Sequence, residues 1–316
     1  MTRAFVVLGL VVLAVAAVPA LADTFQTVID PGDPHFTQLL GINNVGTIVG
    51  YFGDGSVVPN NGFTLTLPNN FTPKNFPGSV QTQVVGINSS GETVGFWIDS
   101  GGVTHGFTDI TGTFTTVDNP LSTSTPAVTQ LLGVNDGGEA AGYWTDAGGN
   151  FHPFTWSGGT FTGVALPGLV SAQATDVNNA GDVVGFNMPT STTSDGFLDV
   201  GGIFTQLEFP GSVFTQALGL NNEGQVVGDY IDAGGGMHGF IYNVGTMTYR
   251  SIDDPNGIGT TVINGINDKG QFVGFYVDSN GNTDGFVGTS VPEPGSLILL
   301  GSVLLGLTYK LRRRRA

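Results

Sequence analysis

One ten-residue phrase recurs six times along this chain: "GINNVGTIVG" (41–50), "GINSSGETVG", "GVNDGGEAAG", "DVNNAGDVVG", "GLNNEGQVVG" and "GINDKGQFVG". Its first asparagine falls at Asn43, Asn88, Asn135, Asn178, Asn221 and Asn267, with separations of 45, 47, 43, 43 and 46 residues. A β-type unit of that length cannot bury its apolar face alone, and its period is that of a propeller blade. The second unit shows four short segments cleanly: "QVVGIN", "ETVGFW", "HGFTDI" and "TFTTVD". Each is rich in β-branched or aromatic residues and bounded by turn formers, so each reads as a strand. The sixth unit stops at "DGFVGTS" without a fourth segment, while "TFQTVIDPG" near the start matches "TFTTVDNP" of unit two. Thr24 to Asp30 would then complete the last blade. The expected fold is all-β, a six-bladed β-propeller of four-stranded blades, closed by pairing of the N-terminal strand with the last blade. An open β-solenoid built from the same hairpins is the alternative.

The repeated phrase has a local rationale. Asn43, Asn44, Val45 and Gly46 join two apolar strands, and Asn-x-x-Gly suits a hairpin whose last residue takes a positive φ. The second glycine (Gly50, Gly95, Gly142, Gly185, Gly228 and Gly274) lies inside a strand, where it weakens pairing unless something approaches closely. The expected intruder is the neighbouring blade or an aromatic ring. The third-strand phenylalanines Phe63, Phe107, Phe154, Phe197, Phe240 and Phe286 are the candidates.

The two ends carry addresses. Arg3, the apolar run Phe5 to Val18 and "ALA" at 20–22 have the order of a cleaved secretory signal helix, residues 1–22. At the other end "VPEP" precedes an apolar stretch, Ser296 to Tyr309, then Lys310 and Arg312, Arg313, Arg314 and Arg315. The charge cluster predicts a short transmembrane helix with a cytoplasmic tail, inserted transiently. The order Pro-Glu-Pro, apolar helix, arginines resembles the PEP-CTERM sorting signal of Gram-negative bacteria. The resemblance covers 291–316 and implies that Pro292, Glu293 and Pro294 are read by a membrane-embedded exosortase. That enzyme would cut nearby and pass the protein to the cell surface or extracellular matrix. The repeats of 23–290 resemble the HAF repeats of bacterial extracellular proteins, through "HGF" at His105 and His238 and "HPF" at His152. "DGF" at Asp195 and Asp284 and "NGF" at Asn61 depart from that pattern.

Charge narrows the function. The whole chain carries a formal −16, but between residues 23 and 291 only Lys74, Arg250 and Lys269 oppose 24 acidic residues. Such a body repels nucleic acid and anionic lipid. With no cysteine, an exported chain must be held by packing and hydrogen bonds. The histidines His105, His152 and His238 sit at equivalent points of different units, a spacing that opposes a shared metal site. No Ser-centred nucleophile elbow or triad order is present. Aspartates Asp99, Asp146, Asp232 and Asp278 open the turns between second and third strands. They are weak Ca²⁺ candidates, set against the ordinary role of aspartate in capping its own turn. Asp30, Asp33, Asp118, Asp253 and Asp254 are expected on the same face. The expectation is a monomeric, non-enzymatic surface or matrix protein without a cofactor, binding polysaccharide or another matrix component. A polysaccharide-degrading propeller enzyme, lyase or hydrolase, is the alternative.

Overall fold

The computed structural model describes residues 23–168, 171–190 and 193–290. The expected signal helix, transmembrane helix and sorting residues Pro292 to Pro294 and Arg312 to Arg315 lie outside the described residues. Thr24–Ser290 forms one compact unit.

The strands come in chain order from β1 (Thr24–Val28). Blade 1 follows as β2 (Thr37–Ile42), β3 (Thr47–Phe52), β4 (Asn61–Thr66) and β5 (Asn70–Pro73). Blade 2 holds β6 (Gln81–Ile87), β7 (Thr93–Ile98), β8 (Thr104–Ile110) and β9 (Thr113–Val117). Blade 3 holds β10 (Thr129–Val134), β11 (Ala140–Thr145), β12 (Phe151–Ser157) and β13 (Thr160–Gly163). Blade 4 holds β14 (Ala172–Val177), β15 (Val183–Thr190), β16 (Thr193–Val200) and β17 (Ile203–Leu207). Blade 5 holds β18 (Phe214–Leu220), β19 (Gln225–Ile231), β20 (Met237–Asn243) and β21 (Thr248–Ile252). Blade 6 holds β22 (Val262–Ile266), β23 (Gln271–Val277) and β24 (Thr283–Thr289), with β1 as its outer strand.

All six sheets are four-stranded and antiparallel, and β1 pairs with β24 from Thr24↔Thr289 to Val28↔Gly285. The ring is closed as the offset of the repeat predicted. Closure leaves no unpaired end blade, which the solenoid alternative would have required.

Core burial lies between blades. Phe63, Phe107, Phe154, Phe197, Phe240 and Phe286 are all essentially inaccessible. Clusters mix neighbouring units: Val28, Val273 and Val287 of blade 6 pack with Leu39, Phe63 and Leu65 of blade 1. Each blade thus supplies the apolar face that its neighbour lacks.

The hairpin reading of the repeat holds. Gly46 has φ +90°, and its counterparts Gly91, Gly138, Gly181, Gly224 and Gly270 are also at positive φ. The third-strand phenylalanine does crowd the second glycine, but a nearer group was not expected. A Cβ on Gly50 would collide with the Gln38 carbonyl oxygen of the same blade, before it reached the Phe63 ring at 3.1 Å. The cause is a β-bulge in every first strand, between Leu39 and Gly41 in blade 1 and at the same place in the other five. The bulge bends the first strand onto the second, so its own carbonyl takes the space that a side chain would need.

Candidate functional site

The bulges build the axis of the molecule. Leu40, Val85, Leu132, Thr175, Leu218 and Asn264 are the residues left unpaired by them, and all six line a central cavity of about 310 Å³. The glycine after each bulge (Gly41, Gly86, Gly133, Gly219 and Gly265) lets adjacent first strands approach closely. A Cβ on Gly41 would stand 2.7 Å from the Val85 carbonyl oxygen.

The anchor asparagines ring the cavity and do two jobs. Asn43 Oδ1 accepts from the Val45 and Thr47 amides of its own turn, at 3.2 and 2.9 Å. Its Nδ2 donates to the Asn88 carbonyl of the next blade at 3.0 Å. The same inter-blade bond runs from Asn88 to Asn135, Asn135 to Asn178, Asn221 to Asn267, and Asn267 back to Asn43. All six asparagines are buried, and a buried amide must be satisfied on both its donor and acceptor sides. Sequence reading found the turn and missed the bond between blades.

A second ring sits at the mouth, one residue further on. The Ser89 amide donates to Asp136 Oδ1 (2.8 Å), the Asp136 amide to Asn179 Oδ1 (2.8 Å), and the Asn179 amide to Asn222 Oδ1 (2.9 Å). The Asn222 amide donates to Asp268 Oδ1 (2.8 Å) and the Asp268 amide to Asn44 Oδ1 (2.9 Å). The side-chain amide of Asn179 holds the Asp136 carboxyl below the usual carboxylate range. Asp136 and Asp268 belong to blades 3 and 6, three blades apart around the ring.

Blade 4 departs from the pattern. Asp176 replaces the glycine of the other five repeats, and its carboxylate lies over Gly133 of blade 3. It accepts from the Val177 amide at 2.9 Å and from the Leu220 amide of blade 5 at 3.0 Å. "DVNN" carried this departure openly, but its meaning depends on facing a cavity that no single repeat contains.

On the opposite face the predicted acidic turns are in place and each caps itself. Asp99, Asp146, Asp232 and Asp278 accept from backbone amides two and four residues on. The amide four residues on does most to hold Asp99, Asp232 and Asp278 below their ordinary range. At Asp146 the His152 ring leads, followed by Asn150. The other two rim histidines face their turn carboxylates more loosely, His105 Nε2 at 3.7 Å from Asp99 and His238 Nε2 at 3.4 Å from Asp232, and bond more closely to acids of the connections that follow the fourth strands. His105 Nδ1 lies 2.9 Å from Asp118, His152 Nε2 lies 3.0 Å from Asp146, and His238 Nδ1 lies 2.9 Å from Asp253. Their rings stack on Trp97, Trp144 and Tyr230. Trp97 is itself sandwiched by Phe76, and Tyr230 by Phe209. Asp30 and Asp254 take another role: their amides donate to Thr37 and Thr261, tying the connections to the first strands. Among the described residues no three His, Asp or Glu side chains converge to hold a metal ion. No helix among them is long and apolar enough to cross a membrane.

Burial divides the carboxyls in a way that pH will reveal. Desolvation pushes Asp176 and Asp229 up to about 7 from an ordinary 3.8. Asp229 occupies a place that the other blades give to Tyr51, Phe96, Tyr143, Phe186 or Phe275. Between those two values the native state holds protons that the unfolded chain has lost, so stability falls as pH rises from about 4 to about 7. The turn carboxyls, shifted down, lose their contribution only as pH drops below about 4. The melting temperature should therefore be higher at pH 5 than at pH 8, and fall again near pH 3. Asp229→Asn should flatten the upper limb in a fluorescence melting series; an unchanged pH 8 value would refute the assignment.

Comparison with known proteins bears on fold and tail. Residues 290–315 match the PEP-CTERM protein-sorting motif. No curated protein matches the chain in sequence. Among solved structures it is similar to TolB from Acinetobacter baumannii, at 11% identity and TM-score 0.50, over 78% of this chain and 65% of that one. It is also similar to a single-site mutant of the Aleuria aurantia lectin in complex with alpha-methyl-L-fucoside. The values there are 12% identity and TM-score 0.50, over 79% of this chain and 90% of that one. At such identities the likeness is one of fold. Fold and tail together define an exported β-propeller. Its C-terminal motif implies an exosortase as processing partner, with a membrane-anchored precursor delivered to the cell surface or extracellular space.

Proposed function

We propose that the chain is a non-enzymatic surface or matrix protein that binds extracellular polysaccharide or another matrix component after processing. The observation that carries this reading is the sorting motif at 290–315, joined to a body made of one repeated propeller unit. Three features support it. The body is strongly acidic and lacks cysteine. Its repeats resemble the HAF repeats of extracellular proteins. Its three rim histidines are engaged by carboxylates and stacked rings rather than by a hydroxyl nucleophile. The domain boundaries follow the same reading: signal peptide 1–22, propeller 23–290, sorting segment 291–316.

Replacing Pro292, Glu293 and Pro294 with alanines should trap the full-length membrane form, seen as a slower band in the membrane fraction of an exosortase-bearing host. Unchanged processing would overturn the sorting role. Matrix binding is tested by a glycan array with and without calcium. Release of unsaturated or reducing ends from a bound polysaccharide would instead support the lyase or hydrolase.

A further inference from the structure

We propose that the central cavity is a binding site for a small organic cation, with a primary ammonium group seated against Asp176 and an apolar body along Leu40, Val85, Leu132 and Leu218. Four observations converge on it. First, the cavity has the size of a small ligand site. Its ~310 Å³ lies at the lower end of the roughly 300–1,000 Å³ typical of such pockets. Second, its wall is mixed: the bulged residues of blades 1, 2, 3 and 5 form an apolar band, with amide side chains such as Gln83 and Gln130 beside it. Third, the titratable groups lining it among the described residues are Asp136, Asp176 and Asp268. All are acids, and no Lys, Arg or His among those residues offsets them. A cavity lined by one sign of charge concentrates ions of the other sign.

Fourth, the three acids are not equivalent. Asp136 and Asp268 are held in the mouth ring by neighbouring amides. Asp268 accepts from Asn44 Nδ2 (2.6 Å) and twice from Asn222 Nδ2, besides the Asn222 amide. Asp176 accepts one backbone bond on each oxygen. A carboxylate offers about four lone-pair sites, so roughly two remain for a donor. It is also the one side chain that projects from the glycine ring at the axis. The bond from Leu220 accounts for a link between blades 4 and 5, but a neutral acceptor would serve that link equally well. A half-buried acid beside an apolar wall is suited to a partner that brings both positive charge and donors. A neutral polyol would leave the charge without a counterion.

The test is calorimetric titration of the full chain in mild detergent at pH 8 and low salt. The probes are n-butylammonium and glucosamine, with 1-butanol and glucose as neutral counterparts. The ammonium probes should bind and their neutral counterparts should not. Asp176→Asn should weaken ammonium binding at least tenfold, while Asp229→Asn, outside the cavity, should not change it. If Asp176→Asn proves unstable, the wild-type protein still decides the matter. Ammonium affinity should drop as pH falls from 8 to 5, since Asp176 takes up a proton there while Asp136 stays ionised. Equal binding of the alcohol, pH-independent affinity, or no heat at tens of millimolar probe would each overturn the proposal. If only glucosamine binds, the site is one for an amino sugar; if both ammonium probes bind, it reads the ammonium with its apolar stem.

Discussion

Removing Thr24 to Asp30 should abolish the cooperative unfolding transition of the propeller, or lower its melting temperature by more than ~15 °C. The deletion takes the whole outer strand of blade 6, paired over five residues with β24. It also removes Val28, which is 1% exposed and packs with Leu39 and Phe63. Phe25 goes with it, and that ring stands 5.9 Å from Phe272 and 5.8 Å from Phe286. One buried apolar side chain at roughly 1.5–3 kcal/mol, a partly buried phenylalanine and a strand's hydrogen bonds at about 1 kcal/mol net each approach the roughly 5–15 kcal/mol that holds a typical domain together. The exposed edge of β24 would also invite pairing between molecules. Differential scanning calorimetry with light scattering reads both effects. A truncated protein that melts like the full chain would show that the ring does not depend on its closure.

The second large effect concerns one of the few basic residues. Lys74 of blade 1 meets Asp109 of blade 2 at 2.6 Å, with the Asp109 side chain 1% exposed and that of Lys74 18% exposed. Lys74→Met should destabilise by about 3–5 kcal/mol, because it leaves a buried carboxylate without its counter-charge. The double variant Lys74→Met with Asp109→Leu should recover most of that loss. The neighbouring blades already show the apolar version of the pair: Val28 and Leu65, which occupy the positions equivalent to Lys74 and Asp109, pack together in one core cluster. Chemical denaturation of both variants measures the two values. A double variant no better than the single one would mean that the ion pair contributes shape rather than charge compensation.

The repeated asparagine shows where reading a sequence succeeds and where it stops. Its Oδ1 serves amides two and four residues away, and such local bonds can be inferred from Asn-x-x-Gly alone. Its Nδ2 serves a carbonyl 43 to 47 residues on, or 224 residues away where Asn267 meets Asn43. Only the closed ring creates that partner. Gly50 is intermediate: crowding was readable from a glycine inside a strand, but the carbonyl responsible is brought there by a bulge that leaves no simple signal. Asp99, Asp146, Asp232 and Asp278 bond within their own turns, and that part was readable. The contacts of the first three with the rim histidines depend on strand pairing. Lys74 and Asp109 are ordinary surface types by composition, and nothing along the chain marks them as a buried pair.

The linear sequence therefore determined the number of blades, the strand order, the closing strand and the route out of the cell. Each is encoded by residues close together in the chain: turn chemistry, strand-length apolar segments, and a terminal motif matched in one continuous stretch. The tertiary structure alone decided which carboxylates lose their water and where a cavity opens. Asp229 and Asp109 are buried, and Asp176 half-buried, by residues from other strands and blades, and the axis exists only once all six first strands face one another.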